Sequence, residues 1–363
     1  MSFTPNPIQS SAWKKLKKNK GAVFGIGVIT LAVLLAIIAY FISPDSSPDA
    51  NRMIVEVGGR PPGFRQMYLK EKKGSNPQKA GFLQRLIHGQ EDDYLLIPVN
   101  GYQERDDSVY VEKFIDTDVH ELIVFPASKF NGDTRSSFIH KTAWLGTDKY
   151  GRDILSRLII GLRVSLSVGL IAIIISMTIG ITLGAFAGYF RGWVDDLVMW
   201  LINIIWSIPT LLLVFAITLL LGKGFWQVFV AVGLTMWVSV ARIVRGQVLA
   251  VRELEYVEAA RALGFSHFRI LFRHILPNIM GPVFVIAASN FASAIVIEAG
   301  LSFLGVGVQP PQPSWGLMIK ENYNFIITHN PMLALAPGFA IMIIVMAFNL
   351  LGNGLRDALN VKG

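Results

Sequence analysis

The chain has 363 residues, of which 52% are hydrophobic and only 16% charged, and its formal net charge is +8. A soluble domain carries about a quarter charged residues, so apolar residues gathered in blocks mark a membrane protein. With no cysteine there is neither a disulfide framework nor a thiolate metal site. The histidines at 88, 120, 140, 267, 274 and 329 form no metal-ligand spacing, so no metal, cofactor or catalytic centre is expected.

The N-terminal stretch 1–21 ends in Lys14, Lys15, Lys17, Lys18 and Lys20, directly before an apolar run over 22–42. A basic cluster in this place reads as a positive-inside anchor and not as a nucleic-acid patch. The run is longer than the apolar core of a signal peptide, and Ser43-Pro44-Asp45 after it is no small-x-small cleavage site, so a retained transmembrane helix is expected. Five more segments are long enough to cross about 30 Å of hydrocarbon, at 165–188, 197–220, 226–246, 282–304 and 332–353. Six crossings place both termini, including 354–363, in the cytoplasm. One stretch runs against the charge rule: Lys149, Arg152, Arg157 and Arg163 fall on the expected outer side.

The segment 43–144 differs in kind. It is polar, carries Gly/Pro-rich pieces such as Gly58-Gly59-Arg60-Pro61-Pro62-Gly63, and shows short strand-like runs at 94–99 and 121–125. We expect a small extracytoplasmic insertion, partly β. An amphipathic helix is expected over 145–164, capped by Thr147 or Asp148, with Ile154, Leu155, Leu158 and Ile159 on one stripe. In the following largely apolar core, 165–353, the residues Ala172, Ser176, Gly180, Gly184 and Gly188 recur every fourth position and predict a close helix-packing face. Pro209 and Pro337 predict kinks in their spans.

The loop 247–281 is too polar for a bilayer. Tyr256, Ala260 and Leu263 fall at helical spacing, as do Phe268, Leu271, Phe272 and Ile275. This predicts two short helices reversing at Gly264, where a left-handed conformation carries no steric penalty. Pro277 is expected to end the second helix. Glu298 is a carboxylate placed well inside a span, where such groups line a pathway, act in gating, or bond a neighbouring helix.

The run Glu258-Ala259-Ala260-Arg261-Ala262-Leu263-Gly264, followed by His274-Ile275-Leu276-Pro277, resembles the coupling loop of permease subunits in ATP-binding-cassette importers. Leu145-Gly146-Thr147-Asp148 with Gly151-Arg152-Asp153, and Glu298 through Pro311 with Pro313-Ser314-Trp315-Gly316, are similar to the dipeptide/oligopeptide/nickel branch and within it to the second, "C"-type permease. The resemblance covers 1–43 and 144–363; the segment 44–143 departs from it. It implies an all-α type I importer fold in a bacterial cytoplasmic membrane. The implied partners are a second homologous permease, two cytoplasmic ATPase subunits and an extracytoplasmic solute-binding protein, with no nucleic acid. Glu258, Ala259, Ala260, Gly264, His274, Leu276 and Pro277 are the matched ATPase-coupling positions. The residues themselves agree on one point. No G-x-x-x-x-G-K-[ST] phosphate loop occurs, and Gly222-Lys223-Gly224 lacks its spacing, so the motor must be another polypeptide. The competing readings are an ion-coupled secondary transporter, which needs several buried ionisable groups, and a carrier of nickel chelates in place of peptides.

Overall fold

The computed structural model describes residues 7–74, 81–130, 134–222, 224–327 and 330–359. Two compact units emerge from its internal contacts. One comprises Met1–Val33, Ser165–Gln309 and Ala340–Gly363, and the other Leu34–Val164 and Pro310–Phe339.

The chain begins with α1 (Pro7–Lys18), α2 (Lys20–Ile37) and a short α3 (Ala39–Ile42). A polar segment follows. It holds β1 (Phe64–Lys72), α4 (Phe82–His88), β2 (Tyr94–Arg105), β3 (Ser108–Asp116), β4 (Val119–Pro126) and β5 (Phe138–Ala143). The strands form one antiparallel sheet in the order β4-β3-β2-β1-β5. Alternation puts Leu69, Val99, Val109 and Val111 on one face, closed by Phe130. The strand-like runs at 94–99 and 121–125 thus lie in β2 and β4.

The regular elements described after β5 are mainly helices: α5 (Ile154–Phe190), α6 (Gly192–Trp206), α7 (Thr210–Leu221), α8 (Phe225–Val251), α9 (Glu255–Ala262), α10 (His267–Ile270), α11 (Leu276–Phe303), α12 (Trp315–Asn322) and α13 (Met332–Ala358). Among the described residues, five helical stretches are long and apolar enough to cross a membrane, at Lys20–Ile37, Ile154–Phe190, Phe225–Val251, His267–Phe303 and Met332–Ala358. The third expected span is not one straight helix. Its two halves, α6 and α7, meet at 92° around Ser207-Ile208-Pro209, and count as a sixth crossing only when taken as a pair. Proline removes a helical donor and disfavours helix at the residue before it. By contrast Pro282 and Pro337 lie inside α11 and α13 without ending them.

The expected amphipathic helix over 145–164 also needs correction. Residues 145–153 are not helical, and the helix that starts at Ile154 continues without a break through the second span as 37-residue α5. Neither Thr147 nor Asp148 caps it. The cap is Asp153, whose Oδ2 accepts from the Ser156 amide at 2.7 Å and the Ser156 hydroxyl at 2.5 Å. Thr147 instead donates its hydroxyl to the Val57 carbonyl at 2.5 Å and accepts the Arg60 amide at 3.0 Å. Asp148 accepts the Arg152 guanidinium at 2.6 Å.

Three of the four basic residues that ran against the charge rule are engaged within the protein. Arg152 also donates to Glu321 at 2.8 Å, and Arg157 reaches the same carboxylate at 3.5 Å, both arginines being fully buried. Arg163 donates to the Leu86 and Ile87 carbonyls. These three charges are engaged inside one unit, while Lys149 is exposed.

In the other unit α5 packs on α8 through the small-residue stripe. A Cβ added at Gly180, Gly184 or Gly188 would come within 3.0 Å of Val240, of Ala241 or of the Arg245 carbonyl. The stripe therefore sets how closely the two helix backbones approach. Arg245 of α8 holds Asp195 of α6 with two hydrogen bonds of 2.5 and 2.6 Å.

Candidate functional site

The segment after α8 is a helical hairpin. Leu254 precedes α9, whose first turn carries Glu255 and Glu258, favourable charges at a helix N-terminus. The helix closes in a Schellman arrangement: Phe265 N donates to Ala260 O at 3.2 Å and Gly264 N to Arg261 O at 3.0 Å. Gly264 has φ +74°, the left-handed conformation this closure requires. The chain then re-enters helix at His267 and does not leave it at Pro277. A π-helical stretch, Leu271–Ile275, leads directly into α11, with Pro277 in its first turn. This corrects the expected helix end. A proline is tolerated in a first helical turn, where its missing amide would have no partner, and the wider π turn before it relieves the crowding its ring would cause.

The buried side of the hairpin is built from Val257 and Ala260 of α9 and from Ile270, Leu271, Ile275 and Ile279. They pack with Ala185 and Tyr189 of α5 and with Val240, Val244 and Val248 of α8. The stripe read as Tyr256, Ala260 and Leu263 is therefore shifted. Only Ala260 of the three is buried, while Tyr256, Leu263, Phe268 and Phe272 are exposed. Polar ties add to the packing. The Tyr189 hydroxyl and His267 Nδ1 are 3.0 Å apart, and Asn278 donates to the His274 carbonyl at 2.6 Å and to the Tyr256 hydroxyl at 3.0 Å. The His274 ring stacks on Phe265, and the Arg269 guanidinium lies over the same Phe265 ring at 4.2 Å. Of the matched positions, Glu258, Ala259, Gly264 and Pro277 are exposed, while Ala260 is buried and His274 and Leu276 are half-buried. The hairpin thus presents exposed apolar side chains, Leu254, Leu263, Phe268 and Phe272, among Arg261, Arg269 and Arg273, on a base fixed to three long helices.

Sequence reasoning missed a cavity of about 510 Å³ lined from α6, α7, α8, α11 and α13. Its polar groups are Thr210, Thr235, Ser239, Ser289, Asn290, Ser293 and Asn349; the rest of the lining is apolar, and among the described residues no titratable side chain takes part. Asn290 is buried and sits 3.5 Å from the Ser239 hydroxyl. The available signal was amides and hydroxyls placed inside apolar runs. Glu298 does not line this cavity. It is fully buried, and the Ser302 hydroxyl donates to its Oε1 at 2.6 Å while accepting the Val308 amide at 3.0 Å. The carboxylate therefore braces the turn after α11.

Residues 180–362 match the family of binding-protein-dependent transport system inner membrane components. The chain belongs to this family. Residues 9–55 match the N-terminal transmembrane domain of oligopeptide transport permease C. The chain is similar to the glutathione transport system permease protein GsiD of Pectobacterium atrosepticum, 43% identical over 60% of this chain and 72% of that one. It is likewise similar to the dipeptide transport system permease protein DppC of Alkalihalophilus pseudofirmus, 42% identical with the same coverage. A chain of the inward-facing MetNI methionine ABC transporter aligns at TM-score 0.47 and 19% identity, over 58% of this chain and 98% of that one. This inner membrane component is thus a multi-pass permease of a binding-protein-dependent importer, and its hairpin, cavity and Glu298 all fall within the matched region.

Proposed function

We propose that this permease imports short peptides, di- or oligopeptides or glutathione, and that its hairpin 255–277 is the point at which a separate ATPase drives it. The substrate class rests on the similarity to the glutathione and dipeptide permeases. The coupling role rests on one observation: exposed Leu263, Phe268 and Phe272 stand on a hairpin whose buried side is packed into α5, α8 and α11. An exposed apolar group on a rigid base suits insertion into a partner's groove, and its rigid attachment lets movement of that partner move the helices. The complete importer contains a second permease, two ATPase subunits on the cytoplasmic side and an extracytoplasmic binding protein. Both termini face the cytoplasm. The neutral cavity forms this chain's part of the pathway. Lacking charged side chains, it favours no sign of side chain in the cargo.

The test is uptake of labelled dipeptide and glutathione into vesicles carrying the assembled importer. Phe272→Glu should abolish ATPase association and uptake together. Normal uptake with this variant, or uptake driven by an ion gradient without ATP, would count decisively against the reading.

A further inference from the structure

In the unit Leu34–Val164 and Pro310–Phe339 the two faces of the sheet are used differently. One is closed by the apolar cluster around Leu69 and Val99. The register puts Phe64, Tyr68, Leu96, Lys141 and Ala143 together on the other, with Ala143 opposite Phe64 and Lys141 opposite Gln66. These five side chains form one wall of a half-open cavity of about 270 Å³, and Asp45, Arg52, Ile54, Thr147 and Asp153 contribute to the facing wall.

The charged groups in this cavity are unequally engaged. Asp45 accepts the Ser47 and Arg52 amides at 3.0 and 3.2 Å and pairs with the Arg52 guanidinium at 3.3 Å. Arg52 also pairs with Asp92. Asp153 is held by Ser156 as the cap of α5. The Lys141 ammonium and the Tyr68 hydroxyl, however, make no hydrogen bond or ion pair among the described residues. Tyr68 is buried and Lys141 half-buried. Acceptors are therefore engaged while two donors are open to the half-open cavity, their polar tips still reached by solvent. A ligand carboxylate would satisfy both.

We propose that this cavity binds the C-terminal carboxylate of a short peptide. Lys141 and Tyr68 are the donors, and Ile54, Phe64 and Leu96 form the wall for the terminal side chain. The assignment rests on the peptide reading above. Burial pushes Lys141 down to about 8, with Arg52 acting in the same sense and Asp45, Asp92 and Asp153 opposing. Burial and the Asp153 carboxylate push Tyr68 up to about 12 against Arg52, so the phenol keeps its proton. Binding therefore weakens as the ammonium is lost above neutral pH.

The full chain in lipid nanodiscs is titrated calorimetrically with trialanine, its C-terminal amide, and acetate. Trialanine should bind saturably, and the amide about tenfold or more weakly, the size expected for a lost charge-assisted hydrogen bond. Lys141→Met should lose affinity by a similar factor, Lys141→Arg should keep it, and wild-type affinity should fall between about pH 7 and about pH 9.5. Equal binding of the amide, unchanged binding by Lys141→Met, or no saturable trialanine binding would each overturn the site. Acetate binding as tightly as trialanine would overturn its assignment to a peptide. Peptide uptake by the assembled wild-type importer separates the two levels. Uptake without nanodisc binding removes this site alone, whereas no uptake of any peptide removes the peptide reading itself.

Discussion

The Tyr189 hydroxyl lies 3.0 Å from His267 Nδ1, so the last turn of α5 is tied to the first residue of α10. The Tyr189 carbonyl in turn accepts from the Arg252 guanidinium just after α8. One residue thereby links a long helix to the entry of the hairpin and to the residue directly before the exposed Phe268. Tyr189→Phe removes only the hydroxyl and keeps the ring in the apolar cluster. The expected loss is about 0.5–1.5 kcal/mol of local stability, the usual net value of one hydrogen bond. Hydrogen exchange should show faster amides over 255–270 with little change in α5 or α8. Unchanged exchange would mean that apolar packing alone holds the hairpin.

Gly264 separates backbone strain from side-chain crowding. Its φ of +74° is left-handed, and an added Cβ would meet nothing within 4 Å. Gly264→Ala should therefore destabilise the hairpin by about 1–2 kcal/mol through the backbone alone. Gly264→Asn should cost less, because asparagine tolerates this region better than alanine. Co-purification with the ATPase subunit and peptide uptake should fall in the order glycine, asparagine, alanine. Equal behaviour of the two variants would show that the turn conformation does not limit coupling.

Much of this fold was written locally and some of it was not. The apolar runs announced the spans because each must satisfy its own backbone in lipid. The small-residue stripe announced a close packing face on α5, though not that α8 would fill it, and glycine at 264 announced the reversal. The misreadings share a cause in contacts or geometry that no local pattern contains. Thr147 looked like a cap, yet its partners are Val57 and Arg60, some ninety positions earlier in the chain. Pro277 looked like a stop, yet the π turn over Leu271–Ile275 lets the helix pass. Tyr256 and Leu263 fitted a helical stripe, but in an eight-residue helix a neighbouring stripe, Val257 and Ala260, fits as well, and tertiary packing selected it. Lys141 could not be singled out at all, since its place in a cavity depends on register with β1.

The helix stripe makes a prediction with an internal control. At Gly184 an added Cβ would fall within 3.0 Å of three Ala241 backbone atoms, and backbone cannot swing aside as a side chain can. Gly184→Leu must separate α5 from α8, at about 1–3 kcal/mol or more for overpacking. Gly246, on α8 itself, has nothing within 4 Å. Gly246→Ala should be neutral or stabilising by up to about 1 kcal/mol, because glycine is a poor residue for a helix interior. Thermal unfolding in detergent would compare the two. A similar fall in midpoint for both would mean that glycine content, and not helix contact, sets stability.

Lys141 gives a pH signature that does not depend on any ligand. Its ordinary value of 10.5 is pushed down to about 8 by burial first and by Arg52 second. Below about 8 the ammonium is charged in both folded and unfolded chains, and its incomplete solvation works against the folded one. Between about 8 and 10.5 the unfolded chain holds a proton that the folded chain has released. The unfolded state then binds more protons, and this group's contribution makes stability rise with pH across that window. Lys141→Met removes the charge at every pH. The variant should be more stable than wild type at neutral pH, and its advantage should shrink as pH is raised from about 8 toward about 10.5. Unfolding midpoints of both proteins across that range provide the measurement. Tyr68, pushed up to about 12, keeps its proton in the folded chain, while the unfolded tyrosine releases its own around 10. It therefore lowers stability toward the upper end of this range in both proteins alike and cancels in their difference. A difference between variant and wild type that stays constant with pH would show that Lys141 titrates as a solvated lysine, and would remove the physical reason for a ligand carboxylate beside it.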